Sequence, residues 1–139
     1  MKKVILSIIL MFLMTSCATI TEFPVSSVTP AAKITASLKR DKQNNFAITI
    51  TANYLASADR LSPAKNTYVV WIVTRQNDIK NIGQLNFKNA NKTTLATLTV
   101  FEPAEIFITA EDEGSISYPR GIEISRIIMN SDLRKSIQK

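Results

Sequence analysis

The chain has 139 residues, 45% of them hydrophobic, and its 17 lysines and arginines outnumber 11 aspartates and glutamates, a length that predicts a single domain. It contains no histidine and one cysteine, which excludes an intramolecular disulfide and every histidine-dependent nucleophile, triad or zinc site. The basic residues are scattered rather than concentrated in one stripe, so the sequence argues against a nucleic-acid-binding protein.

The N-terminus predicts a cleaved signal peptide over residues 1–16. The basic start Met1-Lys2-Lys3 is followed by an apolar run from Val4 to Met14, which is the order of a signal peptide's n-region and h-region. A helix needs about 20 apolar residues to cross a bilayer, and this run is much shorter. We therefore expect the segment to be removed rather than retained as a membrane anchor.

The small residues Thr15 and Ser16 stand directly before the only cysteine, Cys17. This segment resembles the lipobox of bacterial lipoproteins. In that family signal peptidase II cleaves before the cysteine, whose thiol carries diacylglycerol and whose new amine is acylated. The resemblance implies that Cys17 is lipidated and that the protein is anchored in the bacterial cell envelope, with the outer membrane, at its periplasmic or surface face, as the expected location. The alternative is an ordinary secretory signal followed by an incidental cysteine.

Residues 17–32 are expected to be the lipidated cysteine and a flexible tether. The stretch from Ala18 to Ala32 is rich in Thr, Ser, Pro and Ala, carries the single charge of Glu22 and shows no sustained periodicity. The folded domain is therefore expected to occupy residues 33–139.

The remaining residues predict an all-β domain. Ile34, Ala36 and Leu38 alternate with polar residues, and the same period of two runs from Phe46 to Asn53, as expected of strands with one face in the core. The segment from Tyr68 to Val73 is apolar at every position, which is typical of a central strand covered on both sides.

Within that central strand we expect Trp71 to be a core residue rather than a stacking platform for a ligand. Four further strands are predicted: Ile79 to Phe87, Thr93 to Phe101, Glu105 to Ala110 and Ile122 to Met129. Seven short strands separated by turn residues favour an immunoglobulin-like antiparallel β-sandwich. A small β-barrel is the alternative.

Five short motifs follow one another in the second half of the chain: Tyr68-Val69-Val70-Trp71, Ile82-Gly83-Gln84-Leu85, Ile108-Thr109-Ala110-Glu111, Gly114-Ser115 and Pro119-Arg120-Gly121. Their order resembles the extracytoplasmic domain of anti-sigma-K factors. The sequence carries neither the sigma-binding region nor the transmembrane helix of that family. The resemblance therefore implies a sandwich module on a lipid anchor, and a sensory role does not follow from it.

Acidic residues are the one local concentration of oxygen ligands: Glu102, Glu105, Glu111, Asp112 and Glu113. Calcium takes six to eight oxygens, and the spacing here is not that of an EF-hand loop. The serines lack a Gly-x-Ser-x-Gly elbow and have no histidine to activate them. The sequence therefore predicts no catalytic residue, no metal-binding residue and no cofactor.

The connection between the last two predicted strands is the candidate binding loop. Its candidate residues are Glu111, Asp112, Glu113, Ile116, Tyr118 and Arg120. Ile116 and Tyr118 are apolar groups that a purely solvated turn does not need, and they are suited to anchoring an interface. The alternative is that both side chains fold back onto the sandwich.

These features together predict a lipid-anchored, non-catalytic envelope protein. We expect it to contact the membrane through its N-terminal lipid and to bind another protein, of unidentified nature, or to support an envelope assembly. A carbohydrate- or calcium-binding module is the alternative, and a hydrolase comes third.

Overall fold

The computed structural model describes residues 18–129. The predicted signal peptide and the predicted lipidation site, Cys17, lie outside the described residues. Nine strands run through the described part of the chain: β1 (Thr19–Glu22), β2 (Lys33–Arg40), β3 (Phe46–Asn53), β4 (Thr67–Thr74), β5 (Ile79–Gln84), β6 (Asn86–Asn89), β7 (Lys92–Thr99), β8 (Pro103–Glu111) and β9 (Ile122–Ile128). Over residues 18–129, no helix is long and apolar enough to span a bilayer.

The strands form two antiparallel sheets. One has the order β1-β2-β3-β7-β6 and the other the order β5-β4-β8-β9. Strands β2, β3, β7 and β6 follow the A-B-E-D order of an immunoglobulin sandwich, and β4, β8 and β9 follow its C-F-G order. The predicted all-β antiparallel sandwich is therefore confirmed, with nine strands instead of seven.

Alternation along the strands builds the core between the sheets. Every second residue of β2 and β3 is buried, from Ile34 to Leu38 in β2 and from Phe46 to Ala52 in β3. They face Val70 and Ile72 of β4 and Ile108 of β8 in one cluster. Because successive strand residues point to opposite faces, a single period of two is enough to gather these side chains.

The segment predicted as one strand from Ile79 to Phe87 is two strands in different sheets. Strand β5 pairs with β4, whereas β6 pairs with β7. Leu85, between them, is buried and donates its backbone N–H to the carbonyl of Tyr68 at 3.0 Å. The chain crosses from one sheet to the other at this anchored residue.

The segment predicted as a tether is part of the folded domain. Strand β1 pairs with β2 at the edge of the five-stranded sheet. Phe23 is buried in the main core and donates its backbone N–H to the carbonyl of Ile34 at 2.9 Å, and the Ser125 hydroxyl donates to the carbonyl of Pro24 at 2.7 Å. The described part of the sandwich therefore begins at Thr19 and not at Lys33. The four residues of β1, Thr-Ile-Thr-Glu, are too few to show an apolar pattern of their own, and the strand is evident only from its pairing with β2.

The register defines two ends of the sandwich. The lower end consists of loop 41–45, turn 75–78, turn 100–102 and the end of β9. The upper end consists of segment 24–32, loop 54–66, turn 90–91 and the two ends of the β8–β9 connection.

Candidate functional site

A second apolar cluster lies on the outer face of the four-stranded sheet. Val69, Trp71 and Phe107 are buried there, outside the core between the sheets. The rings of Trp71 and Phe107 are stacked, with centroids 6.2 Å apart and 15° between their planes. Trp71 is 0% exposed, which confirms that it is a core residue of a central strand. It belongs to this outer cluster and not to the core between the two sheets.

The β8–β9 loop, residues 112–121, covers the outer cluster. Ile116 packs against it. The Asn81 side chain donates from Nδ2 to the carbonyls of Gly114, at 2.8 Å, and of Ile116, at 2.9 Å. Asn81 belongs to β5, at the far edge of the sheet, so the loop extends across the sheet face instead of remaining at the upper end.

A chain of buried hydrogen bonds ties the outer cluster to the end of the loop. Trp71 Nε1 donates to Thr109 Oγ1 at 2.8 Å, and that hydroxyl donates to Glu111 Oε1 at 2.6 Å. The same carboxylate oxygen accepts the backbone N–H of Arg120 at 3.0 Å. Glu111 is only 2% exposed, so its carboxylate holds the loop and does not face a partner.

The start of the loop is fastened by the β3–β4 connection. Asn66 donates its backbone N–H to the carbonyl of Glu111 and its Nδ2 to the carbonyl of Asp112, both at 2.9 Å. Lys65 Nζ lies 3.2 Å from Asp112 Oδ2. The loop is thus held at its start, at its middle by Asn81 and at its end by Glu111.

Arg126 covers the other side of the outer cluster. Its guanidinium carbon lies 4.0 Å from the centroid of the Phe107 ring, a cation–π distance. It pairs with Glu105 and, at 2.9 Å, with Glu123 Oε2. The hydrogen bond to Glu123 is the largest reason why the pKa of Arg126 is raised above its usual value, and the same bond lowers the pKa of Glu123.

The candidate binding residues divide into two groups. Glu111 and Ile116 are directed into the protein. Asp112, Glu113 and Arg120 are exposed, and Tyr118 is 68% exposed. The sequence left open whether Ile116 and Tyr118 anchor an interface or fold back onto the sandwich. Ile116 folds back, whereas Tyr118 remains exposed.

A groove of about 570 Å³ lies beside the exposed tyrosine. One wall consists of residues 77–81, and the other consists of Ser115 to Tyr118. Sequence analysis did not single out Asn77, Asp78 or Asn81. The Asn-Asp step after an apolar strand was a signal for a turn, but its proximity to the β8–β9 loop depends on the sheet order.

The acidic residues are not gathered in one place. Glu102 lies at the lower end, where Arg75 Nη2 is 2.7 Å from its Oε1, whereas Glu111 and Asp112 lie at the upper end. Residues 18–129 contain no group of three or more His, Cys, Asp or Glu side chains arranged to hold a metal ion.

No family model, curated protein or solved structure matches the chain. The function proposed below depends on its own sequence and geometry.

Proposed function

We propose that the protein is a lipid-anchored bacterial envelope protein that acts by binding another protein through the β8–β9 loop and the adjoining groove. The observation that carries this proposal is the contrast within the loop. Its backbone is fastened at three places, while Tyr118 remains 68% exposed beside a groove of about 570 Å³.

A fastened loop is suited to binding because little conformational entropy remains to be lost when a partner docks. Tyrosine is also enriched at interface hot spots, since it offers a large rigid surface and a hydroxyl. The same loop carries exposed charges of both signs on Asp112, Glu113 and Arg120, which is the composition of an interface rim.

The lipid anchor is supported by the sequence around Cys17, and binding rather than catalysis is supported by composition. The chain has no histidine, and its only thiol is the one expected to carry the lipid. A histidine-activated serine and a free cysteine thiolate, two common types of activated nucleophile, each need one of these groups.

A carbohydrate is the second candidate ligand, and the lining of the groove favours it. Asn77, Asp78, Asn81, Ser115 and Ser117 offer amide, carboxylate and hydroxyl groups next to the ring of Tyr118. Polar side chains beside an aromatic face suit a sugar, which presents hydroxyls at its rim and C–H groups on its faces.

The test compares Tyr118→Ser with Tyr54→Ser, because Tyr54 is similarly exposed, at 64%, but lies outside the loop. Proteins crosslinked in intact envelopes are identified by quantitative mass spectrometry. A partner lost with Tyr118→Ser and retained with Tyr54→Ser supports the proposal. Equal recovery with both variants contradicts it, and calorimetric binding of cell-wall oligosaccharides that requires Tyr118 favours the second candidate.

A further inference from the structure

The described chain begins near the lower end of the sandwich. Thr19, the first residue of β1, pairs with Leu38, two residues before the end of β2. Only Ala18 separates Thr19 from Cys17, and two residues span at most about 7 Å. A lipid on Cys17 is therefore held close to this end, without the long tether that the sequence predicts.

The lower end carries exposed apolar side chains. Val100 and Phe101 are consecutive in the turn that joins the two sheets, and they are 71% and 42% exposed. Leu98 and Ile128, at the ends of β7 and β9, are also largely exposed. Single exposed apolar residues are common on protein surfaces, but two in succession on a turn, flanked by two more at the same end, indicate a contact surface.

Cations accompany these apolar groups at the lower end: Lys39, Arg40, Lys42 and Lys80. None of the four forms an ion pair with another residue in the described range. Among the acids of this end, Asp41 Oδ1 accepts the backbone N–H groups of Gln43 and Asn45 and Glu102 pairs with Arg75, whereas Asp78 is exposed. Lys80 Nζ lies 5.1 Å from the centroid of the Phe101 ring, so a cation and an apolar group are presented together.

We infer that the lower end of the sandwich rests on the lipid bilayer, with Val100 and Phe101 in the interface and the four cations facing anionic headgroups. This inference rests on the proposed lipid anchor at Cys17. Apolar side chains flanked by lysine and arginine are the composition that binds a membrane surface. The anchor supplies the high local concentration that makes a small contact sufficient.

This orientation leaves the Tyr118 side of the proposed binding surface accessible. The groove meets the lower end at Asn77 and Asp78 of turn 75–78 and at Lys80, whereas its other wall, Ser115 to Tyr118, belongs to the β8–β9 loop, whose two ends lie at the upper end. A partner then binds at the side of the domain, while the lower end contacts the bilayer.

The test uses two variants of the full chain, each with one added cysteine that carries an environment-sensitive fluorophore. Val100→Cys probes the lower end. Val25→Cys is the matched control, because Val25 is a similarly exposed valine, at 77%, in segment 24–32 of the upper end. The parent chain is labelled in parallel, since its only thiol is the one expected to carry the lipid.

The mature proteins are reconstituted in vesicles of phosphatidylethanolamine and phosphatidylglycerol with a spin-labelled lipid as quencher. We expect quenching at least about tenfold stronger at position 100 than at position 25, reduced when phosphatidylglycerol is replaced by phosphatidylcholine. Equal, weak quenching at both positions in protein that floats with the vesicles overturns the inference and leaves the anchor standing.

Two other results separate the remaining explanations. If the parent chain takes up label or does not float with vesicles, the lipid anchor and the inference that rests on it are both overturned. If position 100 is in water on vesicles but protected in native envelopes, the lower end contacts a protein and the membrane inference is overturned.

Discussion

The indole N–H of Trp71 donates to the hydroxyl oxygen of Thr109 at 2.8 Å, in the middle of the four-stranded sheet. The same hydroxyl donates onward to Glu111, which in turn accepts the backbone N–H of Arg120. One threonine thus connects the outer apolar cluster to the loop that covers it. Packing of the cluster and position of the loop are therefore expected to change together.

Thr109→Val tests this connection, because it keeps the shape of the side chain and removes the hydroxyl. The change leaves the buried Trp71 N–H and Glu111 carboxylate each short of a partner, so we expect unfolding free energy to fall by about 2 kcal/mol. Denaturant unfolding measures it. Thr93→Val is the control: Thr93 is equally buried, but its hydroxyl makes only a long 3.5 Å contact with the carbonyl of Ala52. Equal losses in the two variants would contradict the role of Thr109.

Trp71→Ala is expected to lower the unfolding free energy by about 3 to 5 kcal/mol, the usual loss for truncating a buried aromatic residue. The native protein should show the blue-shifted emission of a buried indole. Trp71→Phe keeps an aromatic ring beside Phe107 but loses the N–H and the additional volume of the indole, so it should be affected less than Trp71→Ala. An unchanged melting temperature for Trp71→Ala, or the emission of a solvated indole, would refute the outer cluster as a core.

Gly121→Ala is expected to destabilise the protein by about 2 kcal/mol or more, because the added Cβ would lie 1.7 Å from the carbonyl oxygen of Ala110 and backbone atoms have little room to move. Gly114→Ala is the matched control. Its Cβ would overlap the flexible side chain of Gln84, which can rotate away at the loss of one exposed hydrogen bond, about 1 kcal/mol. Thermal melts of both variants measure the difference, and the reverse order would contradict the geometry of the loop.

Tyr68 gives the protein a defined sensitivity to alkaline pH. Its hydroxyl donates to the carbonyl of Ala56 at 2.6 Å, and burial, with a smaller effect of the Asp59 charge, raises the pKa of Tyr68 from 10.0 to about 12. Between these values the unfolded chain loses the phenol proton while the folded chain keeps it, so unfolding free energy falls as pH rises.

The size of that alkaline loss is on the order of 2 kcal/mol between pH 10 and 12, since each pKa unit corresponds to about 1.4 kcal/mol. Denaturant unfolding across this range measures it. Tyr68→Phe should be less stable at neutral pH and should lose less stability over the alkaline range than the parent protein. Parallel pH profiles for the two proteins would show that another group causes the loss.

Cys17→Ala tests the lipid anchor. We expect the variant to be soluble or uncleaved and to leave the detergent phase, because two or three acyl chains retain a protein on a membrane far more firmly than one or none. Partitioning in a phase-separating detergent, with the parent protein alongside, measures the change. Unchanged partitioning of the variant would mean that something other than Cys17 holds the protein on the membrane.

The sequence was sufficient to predict a strand wherever the apolar and polar residues of that strand themselves show which of its faces is buried. Strand β3 has the predicted bounds, Phe46–Asn53, because apolar side chains at a period of two are stable only with that face in a core. The uniformly apolar β4 likewise predicted a strand covered on both faces, and Val69, Val70, Trp71 and Ile72 are all fully buried.

The features that the sequence did not reveal depend on residues far apart in the chain. Strand β1 forms because the edge of β2 is free to pair with it. Asn81 can hold the loop because β5 lies next to the carbonyls of Gly114 and Ile116. Glu111 belongs to an acidic run that is typical of a solvated turn, yet it is buried because Thr109 and Arg120 supply donors to its carboxylate. Local patterns determine which face of a strand avoids water, whereas the sheet order alone determines which distant groups meet, since a buried polar group is stable only where the fold brings it a partner.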